Sequence, residues 1–192
     1  IRPSRGLGDV YKRQFLAQRL SSINAISALC EATGAEIKEV SNAIGADKRI
    51  GRKFLEAGPG FGGSCFQKDI LNLVYLCRYY GLEKISSYWE QVLIVNNWQK
   101  ERIASLVVEK LFGTVTNKKI ALFGFSFKAN TNDTRESPSI SIAKDLLANG
   151  ANLMIHDPQV LPSQIEKELC TQETKSFSDI KGGWCFNRDL NE

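Results

Sequence analysis

Gly60-Phe61-Gly62-Gly63-Ser64-Cys65-Phe66-Gln67-Lys68-Asp69 joins a glycine-rich loop to a helical pattern, and the sequence on either side is organised to hold it. Glycines at 60, 62 and 63 permit positive φ and let a ligand approach bare backbone. Beyond them Phe66, Ile70, Leu73, Val74 and Cys77 recur at three- and four-residue intervals. That spacing predicts a helix starting near Ser64, its N-cap, and closed by Gly81. Cys65 then falls in the first turn, where backbone N–H groups and the positive end of the helix dipole favour a thiolate. Asp69 follows four residues on, one turn away on the same face. A thiol with a carboxylate beside it suits covalent catalysis, while a single helical cysteine also suits core packing, free cysteine being among the most buried residue types.

Upstream, Leu16, Leu20, Ile23, Ile26 and Cys30 keep a 3.6-residue rhythm as far as Gly34, which predicts a long amphipathic helix packed on a core. Ile37, Val40 and Ile44 predict a short second helix ended by Gly45. Between it and the glycines lies Arg49-Ile50-Gly51-Arg52-Lys53-Phe54, by composition a solvated basic loop. Downstream, a long helix is expected from about Lys84 to Leu111, with Tyr88, Val92, Val95, Ile103, Leu106 and Val107 inward and Gly113 as its stop. Trp89 and Trp98 flank it, and this aromatic face suits either a subunit interface or an internal core.

The pattern then changes class. The apolar run within Lys118–Phe125 predicts a buried parallel strand. Ser137 as N-cap and Pro138 at N1 begin a helix with Ile140, Ala143, Leu146 and Leu147 inward, ended by Asn149-Gly150. Asn152–His156 is a second strand closed by Asp157-Pro158, and a helix with Ile165 and Leu169 inward follows Pro162. This order is the βαβ opening of a doubly wound sheet. Gly124-Phe125-Ser126-Phe127-Lys128-Ala129 offers only the first glycine of a G-x-G-x-x-G turn, so the motif assigns no dinucleotide site there. Lys128, at the carboxyl end of a strand, stands where open α/β sheets bind ligands and suits a phosphate or sugar oxygen; an ordinary surface lysine fits the position equally well.

Composition narrows the classes. With 192 residues, 43% of them hydrophobic, the chain can bury one large core or two small ones. Of the formal charge of +4, Arg2, Arg5, Lys12 and Arg13 against Asp9 supply three, so the remainder is nearly neutral and calls for no nucleic acid. Residues 1–14 show no helical periodicity and read as non-native sequence. Cys30, Cys65, Cys77, Cys170 and Cys185 form no C-x-x-C pair, and His156 is the single histidine, which predicts free thiols and no metal site. No apolar run approaches the ~20 residues that span a bilayer, and no secretory signal is visible, so a cytoplasmic protein is expected. There is no internal repeat or low-complexity segment.

Residues 60–69 resemble the active-site signature of the UDP-glucose 6-dehydrogenase family. Further stretches agree in order and spacing: Phe15-Leu16-Ala17-Gln18-Arg19, Ser21-Ser22-Ile23-Asn24, Leu29-Cys30-Glu31-Ala32-Thr33-Gly34-Ala35, Arg49-Ile50-Gly51, Gly124-Phe125-Ser126-Phe127-Lys128 and Asn132-Asp133-Thr134-Arg135-Glu136-Ser137. The resemblance covers about residues 15 to 180. It implies an all-α central (dimerisation) domain at 15–113, followed by an incomplete Rossmann-like α/β parallel-sheet domain at 114–192 that binds UDP. The implied chemistry is NAD-dependent four-electron oxidation of UDP-glucose to UDP-glucuronate through a thiohemiacetal and thioester on Cys65, with Asp69 organising water and oxyanion.

The resemblance also assigns contacts. Substrate contacts are Glu56, Ala57, Gly58, Pro59, Gly60, Phe61, Gly62, Phe127 and Lys128, with Arg49 reaching the substrate of a neighbouring subunit in a homo-oligomer (dimer or higher) built on the central helices. NAD contacts are Cys65, Phe66, Gln67, Lys68 and Arg135. Glu56-Ala57-Gly58-Pro59 departs from the family's loop, and Ala129, Asn130 and Asn132 are variants in theirs. The lysine and asparagine that the family carries shortly before the position of Phe15 are not matched, and residues 181–192 match nothing where a third strand is expected. The chain therefore reads as part of such an enzyme, inactive by itself. Two alternatives stand beside it: another UDP- or GDP-sugar dehydrogenase with the same cysteine chemistry, and a non-catalytic helical dimerisation module.

Overall fold

The computed structural model describes the backbone of residues 3–170 and the side chains of residues 8–170. The third-strand expectation beyond residue 170, and Cys185, lie outside the described residues. The chain divides into two compact units, residues 1–99 and 100–192.

The first unit holds α1 (Pro3–Thr33), α2 (Ile37–Ala46), α3 (Ser64–Tyr79) and the first part of α4 (Glu83–Lys110). α1 packs against α2 and α3. The core is Ala17, Phe61, Ile70, Val74 and Val92, flanked by Leu20, Phe66, Trp89 and Leu93. Each of the larger side chains contributes about 1.5–3 kcal/mol by leaving water.

Two expectations change here. α1 begins at Pro3, so the segment without apolar rhythm is helical, and its residue Gln14 is buried. The buried stripe of α1 is small and polar, running through Gln14, Ala17, Ser21, Asn24 and Ser27, which an apolar count cannot see. The same holds on α4: Tyr88, expected inward, is exposed, while Ser86, Val92, Asn96 and Gln99 are buried.

The second unit contains the last turns of α4, β1 (Lys119–Phe123), α5 (Pro138–Ala148), β2 (Asn152–His156) and α6 (Pro162–Leu169). β1 and β2 run parallel with Lys119 opposite Asn152 and Phe123 opposite His156, the two strands of one βαβ step. Ser137 caps α5 by accepting from Ser139 N–H, with Pro138 at N1, as the sequence predicts. Val115, Phe125, Ile142, Ala143, Leu146, Leu153, Ile155 and Ile165 form the core, joined by Ala104 and, at its edge, Val107, Val108 and Leu111. Ala104, Val107 and Val108 of α4 explain why the division falls inside the helix, ahead of the Gly113 boundary read from sequence. β1 is not buried on both faces as expected; Lys119, Ala121 and Phe123 are exposed and only Ile120 and Leu122 turn to the core. The described part of the sheet is thus covered on one face.

Candidate active site

Gly63 stands at the N-cap of α3 with φ 79°, after Gly60 at φ 113°. Only glycine takes such turns without a steric cost of about 1–2 kcal/mol. Ser64 is therefore the first helical residue and not the N-cap predicted from sequence, and no side chain caps the helix. The leading N–H groups of α3 are left for a ligand or solvent. Cys65 in that first turn is exposed, whereas Cys30 and Cys77 are buried and Cys170 is half-buried. Burial, then the Glu166 charge, pushes the Cys170 thiol above its usual value.

Asp69, one turn on, keeps only 14% of its side chain exposed and accepts a 2.5 Å hydrogen bond from Arg13 Nε. Gln14 Nε2 donates to the Asp69 carbonyl at 2.7 Å. Arg13 has its pKa raised chiefly by the bond to Asp69, with the charges of Asp69 and Cys65 adding to it. A guanidinium from α1 thus stands against the carboxylate one turn from Cys65. The apolar rhythm of α1 gave no sign of it.

The loop before α3 is held by side chains. Gly58 N–H donates to Asn24 Oδ1 at 2.9 Å, and the Gly58 carbonyl accepts from Gln99 Nε2 at 2.8 Å. Phe61 N–H donates to Asn96 Oδ1 at 2.7 Å, and its carbonyl accepts from Asn96 Nδ2 at 3.1 Å. Phe61 also meets Phe66 edge-on at 5.5 Å. Gly58, Gly60 and Gly63 happen to have G-x-G-x-x-G spacing, but a loop leads into them, where a dinucleotide fold has a strand.

Arg49 is 89% exposed and forks onto Asp47, Nε to Oδ1 at 3.0 Å and Nη2 to Oδ2 at 2.6 Å. That fork holds the Asp47 carboxyl below its usual range. Arg19 of α1 donates to the carbonyls of Ile50 and Gly51, and a Cβ on Gly45 would stand 3.0 Å from Arg52 Cα. The basic loop is thus seated on two helices, with Arg49 turned outward.

In the second unit a cleft of about 400 Å³ opens at the carboxyl ends of the strands, lined by Gly124, Ser126, Lys128, Ser139, Asp157 and Gln159. Lys128 is exposed, its Nζ 5.2 Å from the Phe127 ring centre. Asp157 closes the cleft floor. Its Oδ2 accepts from the N–H of Phe125 (2.7 Å) and Ser126 (3.0 Å), and its Oδ1 from Gln159 (2.8 Å) and Val160 (3.0 Å). Burial raises the Asp157 pKa, but the four backbone bonds outweigh it and hold the carboxyl below its usual range. In dinucleotide-binding sheets an acidic residue past the second strand takes a ribose hydroxyl. Here both oxygens are already occupied by backbone. Arg135 forks onto Asp133 at 2.9 and 2.6 Å, a bond that brings the Asp133 carboxyl down to about 2. No cluster of metal-ligating side chains occurs among the described residues.

Residues 9–98 match the central domain of the UDP-glucose/GDP-mannose dehydrogenase family, and residues 121–183 match its UDP binding domain. The chain belongs to the UDP-glucose/GDP-mannose dehydrogenase family. The match to this dehydrogenase family begins at Asp9, ahead of the Phe15 start read from sequence, and takes in Arg13 and Gln14. Among curated relatives, UDP-glucose 6-dehydrogenase of Mus musculus is 57% identical over 166 residues, and UDP-glucose 6-dehydrogenase 1 of Glycine max 55% over 166. Each alignment covers 86% of this chain, which spans 34% and 35% of those relatives' lengths. A solved UDP-glucose dehydrogenase from the archaeon Pyrobaculum islandicum aligns with a TM-score of 0.76 at 32% identity, over 94% of this chain and 39% of that one. Within the family match, sequence patterns had not pointed to Asn24, Asn96, Gln99 or Asp157 as parts of the site. Asp157-Pro158 read only as a strand stop, and the amides interrupt helical periodicity without announcing a partner.

Proposed function

We infer that this chain carries the cysteine-bearing and UDP-binding parts of a UDP-glucose 6-dehydrogenase. The observation that carries the reading is the exposed Cys65 in the first turn of α3, behind a glycine arch and one turn from Asp69, inside the central-domain match. The C6 alcohol of the sugar first loses a proton and a hydride to become an aldehyde; the Cys65 thiolate adds to that aldehyde, loss of a second hydride leaves a thioester, and water cleaves it to the carboxylate, returning the thiolate and releasing two protons. Asp69 orients that water, and the positive end of α3 stabilises the oxyanion.

NAD, when bound, supplies the acceptor for the two hydrides released. The uncapped N–H groups of α3 and the exposed Lys68 suit its anionic groups, so Cys65, Phe66, Gln67 and Lys68 would lie along it, and Arg135 is assigned as a further contact. For the sugar nucleotide we assign Glu56, Ala57, Gly58, Pro59, Gly60, Phe61, Gly62, Phe127 and Lys128, with Arg49 serving a neighbouring subunit of a homo-oligomer. The outward position of Arg49 and the cleft beside Lys128 support these assignments. Residues 15–113 would be the dimerisation domain and 114–192 the UDP-binding domain.

The test uses an intact enzyme carrying this segment. Cys65→Ser should retain the first oxidation and stall before product release, because an alkoxide leaves less readily than a thiolate, with a sugar adduct found by mass spectrometry on the peptide bearing residue 65. Full turnover to UDP-glucuronate by that variant would remove the nucleophile assignment. A second reading, oxidation of another UDP- or GDP-linked sugar, is kept open by the family's breadth, and the 57% identity to a UDP-glucose enzyme weighs against it. Comparing kcat/KM for UDP-glucose and GDP-mannose separates the two.

A further inference from the structure

Residues 56–62 are the stretch that the proposed function gives to the sugar nucleotide, yet among the described residues no backbone–backbone hydrogen bond fixes 56–62. Three amide side chains on two helices do so in their place. Asn24 of α1 and Gln99 of α4 take the N–H and the carbonyl of Gly58, at 2.9 and 2.8 Å. Asn96 of α4 takes both groups of Phe61, at 2.7 and 3.1 Å, as a neighbouring strand would. All three side chains are deeply buried, with relative exposures of 2% for Asn24, 3% for Asn96 and 2% for Gln99. A buried amide is unfavourable unless bonded, and these bonds are directed at the loop. Leu55 and Phe61 add buried apolar anchors. Only Gly62, Gly63 and Ser64 separate Phe61 from Cys65, so fixing the backbone at Phe61 fixes the entry to α3.

We propose that Asn24, Asn96 and Gln99 are positioning residues that template the backbone of the sugar-nucleotide loop and thereby set the place of Cys65. The ligand's identity rests on the function proposed above; the template does not. Asn96→Asp keeps the acceptor for Phe61 N–H but turns an oxygen on the Phe61 carbonyl. Gln99→Met keeps the length and removes the donor. Val74→Ala is a core truncation that touches none of these bonds.

The 192-residue chain is tested by hydrogen exchange of the 56–63 peptide and by the rate of Cys65 alkylation with iodoacetamide. Asn96→Asp should speed exchange by about tenfold, the loss of one net hydrogen bond, and both amide variants should shift the alkylation rate at least about threefold. Val74→Ala, with an equal or larger fall in Tm, should leave both readouts within about twofold. Unchanged exchange in the amide variants, or an equal effect from Val74→Ala, overturns the proposal. Should Asn96→Asp fail to fold, Gln99→Met decides the matter alone. UDP-glucose that protects the loop in neither wild type nor variants, while the amide changes still loosen it, overturns the ligand reading and supports the template.

Discussion

Cys65 and Asp157 are the two side chains whose surroundings make the sharpest demands on experiment. Cys65 is exposed at a helix start, Cys30 and Cys77 are buried, and the half-buried Cys170 is held in its thiol form by burial and Glu166. Alkylation at neutral pH should therefore label residue 65 before residues 30 and 77; peptide mapping that finds the buried pair modified first would contradict the difference in exposure. Asp157 has a depressed folded-state pKa, so its contribution to stability is present above the ordinary carboxylate range near ~3.9 and fades as pH falls through the lower folded value. Asp157→Asn turns an amide N–H on one pair of backbone donors and should cost about 2 kcal/mol at pH 7, discounted because the group is only partly buried. The gap between wild type and variant in thermal melts should narrow below about pH 4. A gap that widens there would show that Asp157 is not acting as an anion.

At the level of elements, α3, α5, β2 and α6 follow from apolar spacing and turn residues, because each buries an apolar face against one core, whereas α2 buries only Gly45, which stands inside the helix and does not end it as expected. The inner faces of α1 and α4 were not legible in that way. Ser21, Asn24, Asn96 and Gln99 are buried through specific hydrogen bonds, and no periodicity in hydrophobicity records a bond to a backbone far away in sequence. Cys65 and Asp69 are legible as a pair, since both sit on one helix; the cation Arg13 is not, since it arrives across space from α1. The arch into α3 gives a prediction of its own. Gly63→Ala should destabilise the first unit by about 1–2 kcal/mol and slow Cys65 alkylation, because φ 79° is denied to alanine; an unchanged melt and unchanged rate would show that the arch relaxes freely.

For the whole molecule, the described residues form one core in each unit, and the described sheet has two strands covered on one face. Phe123 is 70% exposed on the uncovered side, and Tyr75, Tyr79 and Tyr80 form a second exposed aromatic group on the first unit. The chain should self-associate in sizing experiments, and a monodisperse monomer would contradict this. No strand-led G-x-G-x-x-G occurs among the described residues, and the Asp157 carboxylate is occupied. The purified 192-residue chain should therefore form no NADH from UDP-glucose, and measurable NADH at 340 nm would overturn that expectation. The amide template bears on how this site can be altered. The loop's path is written on α1 and α4, so the exposed side chains of Glu56 and Pro59 and the half-buried one of Ala57 are free to be exchanged without a new backbone. A randomised library confined to those three codons should keep most members folded and differ mainly in ligand preference. The same library at 24, 96 and 99 should lose most of its members before selection begins.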